Sequence, residues 1–174
     1  MKTNNIDNIF LVGLMGAGKS TIGKQLAREL GKQFRDSDSE IEKRTGVSID
    51  VIFDIEGEQG FRWRETGLLR ELVSERGIVL ATGGGAVLAS ENRQLLRDNG
   101  LIIYLKASAE HLAGRVKLDR RRPLLQSGDK LVKIRELMTQ REPVYHQLAD
   151  LVVETNNRSI PRVVREISKM IKET

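Results

Sequence analysis

The run Gly13-Leu14-Met15-Gly16-Ala17-Gly18-Lys19-Ser20 matches the spacing G-x-x-x-x-G-K-[ST] at every fixed position. Such a stretch cradles phosphate. Its glycines let the main chain wrap closely around phosphate oxygens with N–H groups pointing inward. A helix starting there adds a dipole that favours the same negative charge. The Lys19 ammonium would reach the β- and γ-phosphates of ATP or GTP, and the Ser20 hydroxyl would ligate Mg²⁺. This chemistry needs a buried strand before the loop and a helix after it, and both are present. Ile9–Val12 is an unbroken apolar run, and Lys19–Leu30 carries Ile22, Leu26 and Leu30 at a four-residue spacing before Gly31.

A second group of residues would choose the phosphoryl acceptor. Asp36-Ser37-Asp38 stands at the end of a second predicted strand, at the edge where open α/β sheets hold ligands. Read as strand residues, the two carboxylates share a face and converge on one site. One would hold Mg²⁺ through water, and the other would take a proton from a substrate hydroxyl. The bland alternative is that they only cap the next helix. Arg62, beside Phe61 and Trp63, is a candidate bidentate clamp for a carboxylate, or else a surface ion-pair residue. Gly83-Gly84-Gly85 follows a third predicted strand and is either a plain flexible turn or a place where backbone comes close to a ligand or another segment, with N–H groups that can bind an anion.

Arg141 lies on the apolar stripe of a predicted helix over Leu131–Leu148, which also carries Ile134, Leu137, Met138 and Tyr145. An inward arginine needs an anionic partner, either a structural carboxylate or a bound substrate. Arg120-Arg121-Arg122-Pro123 sits in a polar stretch over 119–130 that reads as a lid, or else as a solvated charge run, with Arg122 nearest the phosphates in the lid reading because Pro123 stiffens the chain beside it. His111 and His146 have no metal-type partners nearby in sequence and read as ordinary packing or surface residues.

The elements that must position these groups alternate between strand and helix, which predicts an α/β domain with a five-stranded parallel sheet. The strands are expected at Ile9–Val12, Gln33–Asp36, Ile78–Ala81, Leu101–Leu105 and Leu151–Glu154. A last helix begins after Ser159 with Ile160, Val163, Val164, Ile167 and Ile171 on one stripe. Residues 38–64 carry helical patterning without a strand and read as an inserted substrate-binding region. No linker divides the chain, so 1–174 is expected to be one domain.

Composition narrows the partners. The absence of cysteine excludes a disulfide scaffold and a thiolate metal site, and it fits a reducing compartment. The apolar run at residues 9–12 is too short for a signal peptide or a membrane span, so cytoplasm is the expected location, with no membrane partner. A net charge of +5 invites the thought of nucleic acid, but aromatics are only 4%, too few for a base-stacking surface. The basic excess is better assigned to holding anionic small molecules.

Taken in order, Gly13–Thr21, Asp36-Ser37-Asp38, Gly60-Phe61-Arg62 with Glu65, Gly83-Gly84-Gly85, Arg122-Pro123-Leu124-Leu125, and Arg141 with Pro143 and Tyr145 resemble the shikimate kinase family over essentially the whole chain. The resemblance implies a three-layer P-loop NTPase fold, with a helical substrate-binding insertion at about 38–64 and a lid at about 119–130. It implies a monomer that moves the γ-phosphate of ATP to the 3-hydroxyl of shikimate with Mg²⁺. Nucleotide would be bound by Gly16, Ala17, Gly18, Lys19, Ser20 and Thr21, by the lid arginine Arg122 and by Arg158 near adenine. Lys19, Asp38 and Arg122 would be catalytic. Asp38, Arg62, Gly84 and Arg141 would bind shikimate, Glu65 would orient Arg62, and Ser20 and Asp36 would hold the metal. The alternatives are a related kinase acting on gluconate or a nucleoside monophosphate, and a non-catalytic nucleotide-binding module.

Overall fold

A computed structural model describes residues 6–116 and 129–174. Five parallel strands form one sheet: β1 (Ile9–Val12), β2 (Gln33–Asp36), β3 (Ile78–Ala81), β4 (Leu101–Lys106) and β5 (Leu151–Glu154). Their spatial order is β2-β3-β1-β4-β5, so β1 is central and the chain changes direction across the sheet beside it. Every side chain of β1 and β3 is buried, which is why their sequences are apolar without alternation.

Helices α1 (Lys19–Leu30), α2 (Ser37–Thr45), α3 (Ile49–Leu72), α4 (Ser90–Asn99), α5 (Ala109–Val116), α6 (Lys130–Leu148) and α7 (Ile160–Lys172) connect the strands or close the chain. α1 packs on α7 and against β1, β2 and β3, whereas α4 and α6 pack against β4 and α3 packs on α4. α1 sits unusually close to its sheet: a methyl on Gly23 would lie 2.6 Å from the Phe34 ring, so only glycine fits. In α7 the Ser159 hydroxyl accepts from the Arg162 N–H, a cap that stabilises a helix by about 1 kcal/mol, while Val163, Val164 and Ile167 enter the core.

The helical stretch after β2 is two helices, and the second runs on to Leu72 with a break at Gly57, whose φ of 71° and ψ of 177° interrupt the turn. Beyond the break, Phe61, Glu65, Leu68, Leu69 and Leu72 form its buried stripe.

Strand register brings the loops together. Leu11 pairs with Ala81, and Asp36 pairs with the same Ala81. The carboxyl ends of β1, β2 and β3 are therefore level. The segments after them, the loops at residues 13–18 and 82–85 and the start of α2 at residues 37–38, must meet at one edge of the sheet.

Candidate active site

The loop after β1 holds Gly13, Gly16 and Gly18 at φ of 147°, 81° and 94°. Gly13 has a second reason to lack a side chain: a methyl there would sit 2.7 Å from the Leu105 carbonyl oxygen. Lys19 folds back over the loop and donates through Nζ to the carbonyls of Gly13 at 2.6 Å and Leu14 at 2.9 Å. Gly16, Gly18, Lys19, Ser20 and Thr21 line a cavity of about 330 Å³. Ala17 does not line it; its side chain is buried and its N–H turns to the Leu14 carbonyl. Arg115 of α5 does line it, donating to the Gly16 carbonyl at 2.9 Å. Nothing local in sequence distinguishes Arg115 from other arginines, and it escaped the sequence reading.

Asp36 and Asp38 both face this cavity, but not by strand alternation. β2 ends at Asp36, and Asp38 belongs to the first turn of α2. Asp36 is the N-cap of that helix: Oδ1 accepts from the Ser39 N–H at 3.0 Å, while Oδ2 accepts from the Ser20 hydroxyl. One carboxylate thus both caps a helix and meets the phosphate loop. Two oxygen donors in contact suit a hard divalent cation, which takes few protein ligands and completes its shell with water and phosphate.

The glycine turn after β3 is the hub of the acceptor side. Each of its glycines faces different charged side chains. A methyl on Gly83 would lie 2.8 Å from Glu65 Oε2 and 2.9 Å from Asp38 Oδ1. One on Gly84 would lie 3.2 Å from Arg141 Nη1, and one on Gly85 would lie 2.2 Å from Arg62 Nη2. Asp38, Arg62 and Arg141 are brought together around three consecutive residues. Arg62 and Arg141 do not themselves line the 330 Å³ cavity; they abut the turn whose Gly83 and Gly84 form its wall. The expectation of several free N–H groups in the turn narrows, because Gly83 donates its N–H to Ser37 Oγ at 3.0 Å.

Charge in this hub is crowded, and two of its four groups, Glu65 and Arg141, are buried. Arg141 is 2% exposed, and its Nε has no hydrogen-bond partner among the described residues. Arg62 Nη1 donates to Glu65 Oε1 at 3.0 Å, and its Nη2 meets Glu58 at 3.3 Å. Glu65 is fully buried. Burial, with Asp38 nearby, pushes its carboxyl up to about 7 against the pull of Arg62 and Arg141. A buried arginine with an unused donor suits an anion, and a buried acid with a strongly raised pKa is a mark of a functional site.

One expected nucleotide contact is not part of this grouping. Arg158 pairs with Glu166 of α7 and does not line the cavity. Arg122, with most of the expected lid, lies outside the described residues.

A shikimate kinase family model matches residues 15–172. A shikimate kinase from Thiobacillus denitrificans is 58% identical over 91% of this chain and 87% of its own. The chain belongs to the shikimate kinase family. Among solved structures, the shikimate kinase from Acinetobacter baumannii in complex with shikimate superposes with a TM-score of 0.95 at 45% identity, covering 97% of this chain and 94% of that one. A gluconokinase from Sinorhizobium meliloti superposes with a TM-score of 0.66 at 18% identity, covering 97% and 93%, a likeness of fold alone. The family is one of ATP-dependent kinases acting on an alcohol, and the parallel sheet with its phosphate loop is the fold expected of it.

Proposed function

We propose that this protein transfers the γ-phosphoryl group of ATP to the 3-hydroxyl of shikimate, giving shikimate 3-phosphate and ADP on the route to chorismate and the aromatic amino acids. The observation that carries this reading is the glycine turn. On its cavity side stands Asp38, beside Lys19 and Ser20, and against its other residues press Arg62 and Arg141. A small acid with a ring hydroxyl fits between them: its carboxylate meets the arginines, and its hydroxyl meets Asp38.

The chemistry follows from position. Gly16, Gly18, Lys19, Ser20 and Thr21 wrap the triphosphate, and Lys19 exchanges its loop carbonyls for phosphate oxygens. Ser20 would hold Mg²⁺ directly and Asp36 through water. The ion would offset charge on the β- and γ-phosphates when bound. Asp38 holds the acceptor hydroxyl in line and accepts its proton as the oxygen bonds to the γ-phosphorus and the β–γ bridge breaks. Glu65 keeps Arg62 turned toward the turn at Gly85. Arg122 would close on the transferring group, excluding water that otherwise hydrolyses ATP.

A coupled assay of ADP release with shikimate, gluconate and AMP tests the assignment. Turnover is expected on shikimate; turnover on gluconate or AMP with none on shikimate rejects it. Asp38→Asn should lower kcat by about 10²- to 10⁴-fold while leaving ATP binding intact. We place the protein in the cytoplasm as a monomer, which fractionation and sedimentation would check. No described helix is long and apolar enough to cross a membrane.

A further inference from the structure

Tyr145 lies in α6 one turn after Arg141, and its side chain is fully buried. A phenol in such a place must give its O–H to a partner. It donates to the carbonyl oxygen of Gly84, the central residue of the turn that walls the cavity. The Arg141 guanidinium is close enough to act on the phenol, favouring its ionised form against the effect of burial. Arg141 Nη1 in turn stands 3.2 Å from where a Gly84 methyl would be. The ring is held from the sheet by Tyr104 of β4, stacked at a centroid distance of 5.0 Å and 28°. Burial pushes the Tyr145 hydroxyl up to about 12, against the pull of Arg141, so it remains a donor throughout the neutral range.

These contacts solve a problem set by the topology. Arg141 comes from α6, whereas Gly84 comes from the turn after β3. Two groups meant for one carboxylate therefore belong to separate elements. Glycine has no side chain by which it could be held. Fixing the Gly84 carbonyl fixes the peptide plane between Gly84 and Gly85, and with it the Gly84 Cα and the Gly85 N–H, because that plane is rigid. The Arg141 guanidinium lies against the same Gly84, with Nη1 3.2 Å from where a methyl on it would be.

We infer that Tyr145 is a positioning residue for the phosphoryl acceptor, locking the Gly84 backbone and the Arg141 guanidinium in the relative geometry that one substrate carboxylate requires. This deepens the proposed function and rests on it. It assigns Tyr145 no contact with the reacting atoms.

Tyr145→Phe tests it, because the variant keeps the ring and its stack and removes only the hydroxyl. The expected result is an approximately 10-fold rise in KM for shikimate, with KM for ATP changed by less than about twofold. A double-mutant cycle with Arg141→Lys adds a readout that simple packing would not move. If Tyr145 acts through Arg141, adding Tyr145→Phe to Arg141→Lys should raise KM for shikimate by less than about twofold further. An unchanged KM for shikimate in Tyr145→Phe would overturn the inference, as would equal rises in both KM values, fully additive effects in the cycle, or loss of the fold. Parent protein that does not turn over shikimate in the same assay would sink the proposed function, and this inference with it. Parent turnover that Tyr145→Phe leaves untouched would sink the inference alone.

Discussion

Arg62 Nη1 donates to Glu65 Oε1 across 3.0 Å, and the other oxygen of that carboxylate faces Gly83 from the same side as Asp38 Oδ1. A fully buried acid therefore stands between Arg62 and the candidate base. Its pKa of about 7 lies above the ordinary carboxylate range, so the folded state holds this proton more tightly than the unfolded chain does. The stabilisation from that proton is complete below the unfolded pKa and is lost as pH rises through about 7. Between these limits stability should fall with rising pH, by up to about 1.4 kcal/mol per unit from this group. Glu65→Gln should abolish that component, and urea unfolding at pH 5, 6, 7 and 8 would show it. A slope identical in the variant would mean that Glu65 does not titrate there.

The same pair predicts proton linkage in binding. Arg62 and Arg141 hold the Glu65 pKa down. An acceptor carboxylate seated on both arginines offsets their charge and adds its own, which raises the Glu65 pKa further. Near pH 7 the complex should therefore take up a fraction of a proton from solvent. Calorimetry of shikimate binding in buffers of differing ionisation enthalpy would measure the uptake, which should vanish in Glu65→Gln.

Gly85 and Gly67 make opposite predictions for one chemical change. A methyl on Gly85 would lie 2.2 Å from Arg62 Nη2, so Gly85→Ala must displace the guanidinium from the turn. KM for the acceptor should rise about 10-fold or more, through loss of a charged hydrogen-bonded contact, with ATP binding preserved. At Gly67, in the middle of α3, nothing lies within 4 Å of the added carbon. Gly67→Ala should leave both KM values alone and stabilise the helix by roughly 0.5–1 kcal/mol.

How far the sequence could be read depended on whether neighbours along the chain carry the signal. β1, β3 and β4 were legible because buried parallel strands are short apolar runs bounded by turns, whereas the edge strands β2 and β5, less buried and more polar, were placed by their alternation with helices; only β4 extends one residue further than expected, to Lys106. Arg141 was legible as an inward-facing cation because an arginine on an apolar stripe is conspicuous at helical spacing. The burial of Glu65 could have been found in the same way, since it follows Phe61 by four residues and precedes Leu68 and Leu69 by three and four. Asp38 was placed at the site for the wrong reason, because the boundary between β2 and α2 falls one residue after Asp36. Arg115 and the hydroxyl of Tyr145 left no local trace. Their roles exist only through contacts with Gly16 and Gly84, which lie 99 and 61 residues away.

Asp36 offers a way to separate the two halves of the site. Its Oδ1 caps α2, which carries Asp38, and its Oδ2 meets Ser20 of the phosphate loop. Asparagine caps helices as well as aspartate does but lacks the charge. Asp36→Asn should therefore keep stability and acceptor KM near the parent values, while raising the Mg²⁺ concentration needed for half-maximal rate. Asp36→Ala removes the cap as well. It should cost about 1 kcal/mol of stability and loosen the first turn of α2, so that acceptor KM rises together with the Mg²⁺ requirement. Ser20→Ala leaves the cap in place and should reproduce only the metal effect. Steady-state titrations of Mg²⁺ and shikimate on the three variants, with thermal midpoints, would resolve these patterns. If Asp36→Asn and Asp36→Ala prove identical in all three measurements, the capping contact does not transmit to Asp38, and the nucleotide and acceptor halves are held independently.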